Sequence, residues 1–465
     1  MGVGVSCWAL ANAVSKLGQL GVVSGTALDL VLARRLQMGD PNGDIARAFD
    51  HFPFKDVATR VWEHYFIPGG KAPEKPFKPI PMASVNPPRA LTELMVLANF
   101  TEVFLAKEGH NGVVGINFLE KIQMPNLASI FGAMLAGVDY VLMGAGIPRA
   151  IPGILDDLSV GKPVKLRLDV EDALPGEEFA CTFDPETFFK GQSPVLPRPK
   201  FLAIISSAVL ALSLARKSSG KVDGFIVEGA TAGGHNAPPR GTMQLSETGE
   251  PIYGERDTPE LEKIKAIGLP FWLAGSFGQA GRLPEAIRHG AVGVQVGTAF
   301  AFCEESGINP KLKQQVLEKS RTKSVGVYTD PVASPTGFPF KVIQMENTLS
   351  DPEVYSQRPR ICDLGYLRHP YRKEDGTLGY RCPSEPVKDY LRKGGALEET
   401  MGRKCLCNGL MSTVELGQNH HATGYSEQPL MTAGDDVTNV AQFLKPGRNT
   451  YSAADVIEFL LKEQV

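Results

Sequence analysis

Gly224-Phe225-Ile226-Val227-Glu228-Gly229-Ala230-Thr231-Ala232-Gly233-Gly234-His235 passes from an apolar run into a glycine turn that ends on a histidine. Residues Gly224 to Glu228 read as a buried strand, which sets the glycines and His235 at its C-terminal end. Moving outward, short apolar or β-branched runs closed by Gly or a polar residue recur. They are Gly18–Gly25, Gly112–Asn117, Asp139–Met143 (followed by Gly144-Ala145-Gly146), Pro163–Leu168, Pro270–Ala274 and Gly293–Val296. Helical patterns over Asn126–Ala136 and Leu283–His289 separate some of them. Strand–helix alternation with near-continuous apolar strands predicts a parallel sheet covered on both faces. Glycine at nearly every strand end favours a barrel with its loops gathered at one mouth over an open doubly wound sheet. The expected fold class is therefore α/β, a TIM (β/α)8 barrel. Seven strands can be counted; the eighth is expected upstream of Met1 or in a stretch that escapes pattern reading.

The chain has 465 residues, with 49 Gly, 35 Pro and a formal charge of −3. The Gly and Pro excess has no three-residue period, which excludes collagen and fits many turns beside strands. A core of this size needs no disulfide scaffold, and the near-zero charge gives no reason to expect nucleic acid or anionic membrane as partner. Met1-Gly2-Val3-Gly4-Val5-Ser6 satisfies an acylation pattern without a polybasic neighbour. Phe201–Ala215, the most apolar stretch, is too short to span a bilayer and reads as a buried helix. With no signal peptide pattern the expected location is cytoplasmic, where the sequon Asn99-Phe100-Thr101 carries no meaning.

The expected organisation is a barrel over residues 1–307, with insertions near 38–85 and 172–200, and a Cys-containing extension over 308–465 folded against it. Inside the extension, helices are expected at Pro310–Ser320 and at Ala453–Lys462, the latter capped by Ser452.

The strand ends carry the candidate chemistry. Gly233-Gly234 would let a planar ligand approach the backbone, and His235 titrates near neutrality in its unperturbed state, which suits proton transfer. Gly275-Ser276 and Gly297-Thr298 follow the last two strands, where barrels commonly bind phosphate through backbone N–H groups. Asn117 ends its strand with an amide able to bond a heterocycle edge. Phe338 and Phe340, in the turn Ser334–Lys341, are read as core packing in preference to a substrate mouth.

These residues together carry a resemblance. The stretches Met1–Gly4 through Gly21–Gly25, Gly115-Ile116-Asn117, Met143–Pro148, Ala232-Gly233-Gly234-His235, Leu273–Ser276 and Gln295–Thr298 resemble, in order, the nitronate monooxygenase (2-nitropropane dioxygenase) family of FMN-dependent TIM barrels. The resemblance implies an oxidoreductase and flavoprotein that uses FMN and O2 to oxidise alkyl nitronates. His235 would be the catalytic acid/base, Gly233 and Gly234 would meet the isoalloxazine, and Asn117 would bond the ring. Gly275, Ser276, Gly297 and Thr298 would hold the phosphate, and Gly2 and Val3 would floor the ring. The same Ala-Gly-Gly-His element occurs in related barrels, so the alternative is an NAD(P)H-dependent enoyl-thioester reductase of fatty-acid or polyketide synthesis. A third reading is a non-catalytic flavin-binding or metal-stabilised interaction protein. The implied partners are a small-molecule substrate and O2, with no nucleic acid and no membrane, and homo-oligomerisation is compatible with all three.

Cys362, Cys382, Cys405 and Cys407 fall in the extension as C-x19-C-x22-C-x-C. Four thiolates can close a tetrahedral zinc site, but the usual spacing is C-x2–4-C. Buried free thiols are the preferred reading, so no metal site is assigned, and Cys7, Cys181 and Cys303 read as structural. His289 and the pair His420-His421 are expected in solvent, and His51 and His64 packed in their aromatic insertion.

Overall fold

The computed structural model describes residues 2–189, 193 and 195–462. Met1, part of the acylation pattern and of the resemblance, and part of the insertion at 172–200 lie outside them. Seven parallel strands form one sheet: β1 Gly21–Ser24, β2 Val114–Leu119, β3 Tyr140–Gly144, β4 Lys200–Ile205, β5 Gly224–Glu228, β6 Phe271–Ala274 and β7 Gly293–Gln295. Each pairs with the next in chain order. A doubly wound sheet reverses its order partway across, whereas sequential order with helices outside is the winding of a barrel. The side chains agree. Ile116, Met143, Phe201, Ala203, Phe225 and Leu273 face the main core beneath the helices. Leu142, Leu202, Ile226 and Ala274 form a separate cluster inside the curl, against Val22, Ile204 and Trp272. The architecture is an α/β barrel of TIM type with seven strands paired and no ladder joining β7 to β1 among the described residues.

Two expectations need correction. Pro163–Leu168 is not a barrel strand: Val164–Arg167 pairs antiparallel with Ala180–Phe183 in a hairpin outside the barrel. Its burial alternates, with Val164 and Leu166 in and Lys165 and Arg167 out, which is the pattern of a one-faced antiparallel strand. The true fourth strand lies in Phe201–Ala215, read above as one helix. Lys200–Ile205 is β4, and a helix begins only at Ala208, where Ser207 accepts from the Leu210 N–H at 3.2 Å as its cap.

Most other elements fall where the pattern places them. Helices span Asn126–Leu135, Arg282–Arg288, Pro310–Arg321 and Ala453–Leu461, the last with a Ser452–Asp455 capping box. Insertion 38–85 holds helices Asp44–His51 and Lys55–Tyr65. The extension is more than a covering. A second core joins Leu10 and Val14 of the first helix (Trp8–Lys16) to Phe302, Val316, Val437, Phe443 and Val456. This core packs on the side where β1 and β7 stand unpaired, so residues from beyond the last strand bury that seam. Among the described residues no helix is long and apolar enough to cross a membrane.

Candidate active site

The loops at the C-terminal ends of the strands surround a cavity of about 640 Å³. Gly2, Val3, Asn117, Gly233, Gly234, His235, Gly275, Ser276, Gly297 and Thr298 all line it. That volume lies within the usual range of small-molecule and cofactor sites.

His235 is the most firmly held of these. Gly234, at φ +82°, turns the chain after β5. The extension then grips the loop: Lys341 N–H donates to Gly234 O at 3.0 Å, and Asn236 N–H to Pro339 O at 2.9 Å. Gly234 N–H donates to Thr432 Oγ1 at 2.9 Å. The ring itself lies 2.6 Å from Ser334 Oγ through Nε2 and meets Phe340 edge-on, with centroids 4.8 Å apart. Ser334 is fixed in turn by Thr336 Oγ1 at 2.8 Å. Burial pushes the His235 pKa down to about 4, because the imidazolium would lose its hydration. The unperturbed value used in reading the sequence therefore does not apply: His235 is neutral at pH 7.

Glu228, the last residue of β5, lines the same cavity and was not singled out by sequence reading. Burial raises its pKa to about 7. It is thus the carboxyl of the site that changes charge near neutrality. Its signal in the sequence is a carboxylate closing an otherwise apolar strand, Phe225-Ile226-Val227-Glu228.

The other lining residues separate by what their backbones do. An added Cβ at Gly233 would stand 2.6 Å from Ala433 C and 2.7 Å from Gly434 N. Its bare Cα therefore permits close packing against the extension on one side while the residue lines the cavity. Gly297 has open space where a Cβ would project and caps the short helix Thr298–Ala301. Ser276 holds φ +55°, an uncommon conformation outside glycine. Its Oγ is buried without a hydrogen-bond partner, as is Gln295 Oε1 on the neighbouring strand. Thr298 is engaged already: its Oγ1 accepts from Gly434 N–H at 2.9 Å, beside Asp436, whose carboxyl pKa is raised by burial. Asn117 is buried at 5% exposure, and its carbonyl accepts from Gly25 N–H at 2.8 Å. Phe340 is both core and cavity wall, so the two readings of that residue coincide; it is 2% exposed.

The remaining candidates lie elsewhere. His289 is exposed. His420 is not a solvated turn residue: it bonds Glu427 Oε1 at 3.1 Å, and Glu427 is fully buried against Arg358. His51 stacks on Phe104 at 4.6 Å and His64 packs against Tyr65. All seven cysteines are free thiols.

A barrel whose strand ends converge on one cavity, with a neutral imidazole, a carboxyl titrating near 7 and unsatisfied polar atoms, defines a small-molecule site of the α/β-barrel class. Residues 199–329, from β4 to past β7, match the family model described as nitronate monooxygenase. The similarity to that family is carried by this stretch of the barrel. A 5-hydroxy-7a-methyl-1-oxo-octahydro-1H-indene-4-carboxyl-CoA dehydrogenase of Mycobacterium tuberculosis is 26% identical over 208 residues, 41% of this chain and 54% of the relative. A probable nitronate monooxygenase of Staphylococcus aureus is 24% identical over 184 residues, 35% of this chain and 49% of the relative. The chain thus spans about half the length of the curated relatives it matches. Among solved structures, FabK from Thermotoga maritima aligns with TM-score 0.47 at 14% identity, over 99% of this chain and 89% of that one. Nitroalkane oxidase from Streptomyces ansochromogenes aligns with TM-score 0.42 at 15% identity, over 100% and 93%.

Proposed function

We propose that this chain is an FMN-dependent oxidoreductase of nitronate monooxygenase type that oxidises alkyl nitronates with O2. The observation that carries the reading is the convergence of the flavin-barrel strand ends on the cavity that holds His235. The cavity also fits the cofactor chemically. Ser276 Oγ and Gln295 Oε1 are buried without partners, and a bound polar group would relieve their desolvation. Ser276, with the backbone of Gly275, Gly297 and Thr298, would hold the phosphate. Gly2, Val3, Asn117, Gly233 and Gly234 would hold the ring system. When bound, the flavin supplies a two-electron acceptor that O2 can reoxidise.

The protein's own part follows from its protonation states. A neutral imidazole can accept a proton from the carbon of a nitroalkane, or donate its free N–H to the oxygen of an anionic nitronate. Ser334 fixes the other ring nitrogen, so orientation costs little when substrate arrives. Glu228 in its neutral form adds no competing negative charge to the cavity.

Purified protein is expected to show a flavin band and to consume O2 with propyl-2-nitronate. His235→Asn should lower kcat/KM by about 100-fold or more with flavin content unchanged; full turnover in that variant removes the role. One observation favours a second reading. The cavity continues from His235 to Gln19, Leu20 and Val292 at the opposite ends of β1 and β7, a depth suited to an acyl thioester, and one relative is named for a carboxyl-CoA substrate. Anaerobic bleaching of the flavin by NADPH, reversed by crotonyl-thioester, would select the enoyl reductase instead.

A further inference from the structure

We infer that Cys362, Cys382, Cys405 and Cys407 form a tetrahedral zinc site that stabilises the extension. The four residues come from three separate segments. Cys362 lies in a loop, Cys382 directly follows the strand Leu378–Arg381, and Cys405 caps a helix whose second residue is Cys407. All four nonetheless line one small cavity of about 10 Å³, the space of roughly one water-sized sphere. Its other walls are chiefly Leu364, Leu367, Leu406 and Pro335, with no carboxylate, imidazole or ammonium. Four cysteines lining a one-atom space in apolar surroundings supply the donor set of a structural zinc centre.

Without an ion the thiol form is favoured: burial raises the Cys405 and Cys407 pKa, and the contact with Cys362 together with burial raises that of Cys382. Polar groups at the sulfurs offset part of this. Backbone N–H groups reach the sulfurs: Ser384 to Cys382, Asn408 to Cys405, and Leu367 and Tyr366 to Cys407. Asn408 Nδ2 also lies 3.7 Å from Cys405 Sγ. The Arg358 and Arg368 guanidinium groups act on Cys405 and Cys362. Such donors orient ligating sulfurs and spread their charge. Packing alone explains a buried thiol, but not the meeting of four from distant segments. Between Pro352 and Ser426 the regular elements are short, strands of two to four residues and helices of three to eight. A bound ion would add folding free energy to the packing of Leu364, Leu367 and Leu406 in the main core.

In the thiol form described here, Cys362 and Cys382 hydrogen-bond to each other, and no three Cys, His, Asp or Glu side chains among the described residues stand ready to coordinate. Binding therefore entails side-chain rotation toward the shared cavity. It releases one proton per thiol, Zn²⁺ replacing four S–H protons to give a tetrathiolate of charge −2, with no change in oxidation state. The inference rests on no part of the flavin reading.

The test uses the full chain purified under reducing conditions. Elemental analysis is expected to give about one zinc per chain. Cobalt substitution should produce the intense thiolate-to-metal absorption of tetrahedral sulfur coordination. Cys382→Ser and Cys405→Ser should each lose most of the metal, while Cys181→Ser, buried in the barrel's main core, should keep it. If the serine variants are insoluble, the wild-type protein decides. Four of its seven thiols should resist alkylation in denaturant until a chelator is added. Zinc well below one equivalent from zinc-supplemented cells, with no cobalt band, overturns the inference. So does iron with labile sulfide in its place.

Discussion

Ser334 and Glu228 set the behaviour of His235's cavity from opposite sides. Ser334 belongs to the extension and holds Nε2 at 2.6 Å, so Ser334→Ala should free the ring to rotate. We expect kcat to fall about 10-fold with flavin content unchanged, since orientation and not binding is lost; stopped-flow reduction of the flavin measures it. Glu228 is read through pH. Its pKa is about 7 in the folded protein, against about 4.3 in an unfolded chain. Between those values the native state binds more protons than the unfolded one, so this group's contribution to stability falls as pH rises toward 7. His235, at about 4 when folded and about 6.5 unfolded, works in the opposite sense: its contribution falls as pH drops from about 6.5 to about 4. The two offset each other in mildly acidic solution. Glu228→Gln removes one, and should stabilise the protein at pH 8 by up to about 3 kcal/mol while changing little near pH 4. If the chain acts on an anionic nitronate, wild-type KM is expected to rise as pH passes about 7, and the variant should lose that rise. Thermal unfolding and steady-state kinetics across pH 4–8 check both. The imidazole and the glycines were visible in the sequence because strand-end position makes them chemical. Their protonation states were not, since burial is a property of the packed fold.

At the scale of elements, two glycines on the same cavity are predicted to behave differently. Gly233→Ala places a Cβ 2.6 Å from the backbone of Ala433, and backbone cannot swing aside as a side-chain tip can. The loop after β5 must then part from the extension, at a cost of about 1–3 kcal/mol, and activity should fall with it. Gly297→Ala meets open space. That variant should fold with an unchanged thermal midpoint but bind flavin more weakly, because its methyl group projects near the cavity wall; flavin titration of the apoprotein separates the pair. Elements were legible where one periodicity ruled a segment. Asn126–Leu135 and Pro310–Arg321 were placed to within a residue. The errors arose where two states adjoin. Phe201–Ala215 is apolar but for three serines, of which Ser206-Ser207 mark the change from strand to helix. Val164–Arg167 has strand composition, but its alternating Lys165 and Arg167 belong to a hairpin with one wet face.

For the whole molecule, residues beyond Gly307 belong to the site as much as the barrel does. They supply Ser334 and Phe340 at His235, Thr432 on Gly234, and Gly434 and Asp436 beside Thr298. The same region ties itself together behind Ser334. Arg403 Nη1 donates to Ser334 O at 2.6 Å, and Lys404 N–H donates to Ala333 O at 2.8 Å, immediately before Cys405. Sequence periodicity could not show this, because these contacts join residues between 69 and 198 positions apart. The extension also buries Leu10, Val14 and Phe302 on the seam between β1 and β7. A chain cut after Gly307 would leave that apolar surface and two unpaired strand edges in water, a combination that promotes aggregation. Such a chain is expected to be insoluble, or soluble only as large aggregates that bind no flavin. Tyr451→Ala poses the same question more mildly. Tyr451 is fully buried in the seam core and its hydroxyl donates to Ala299 O at 2.6 Å, just past the Gly297-Thr298 turn. Its removal should cost about 3–5 kcal/mol and weaken flavin binding together with stability. A Tyr451→Ala protein that melts earlier yet binds flavin as tightly as wild type would show that the extension supports the barrel without shaping its site.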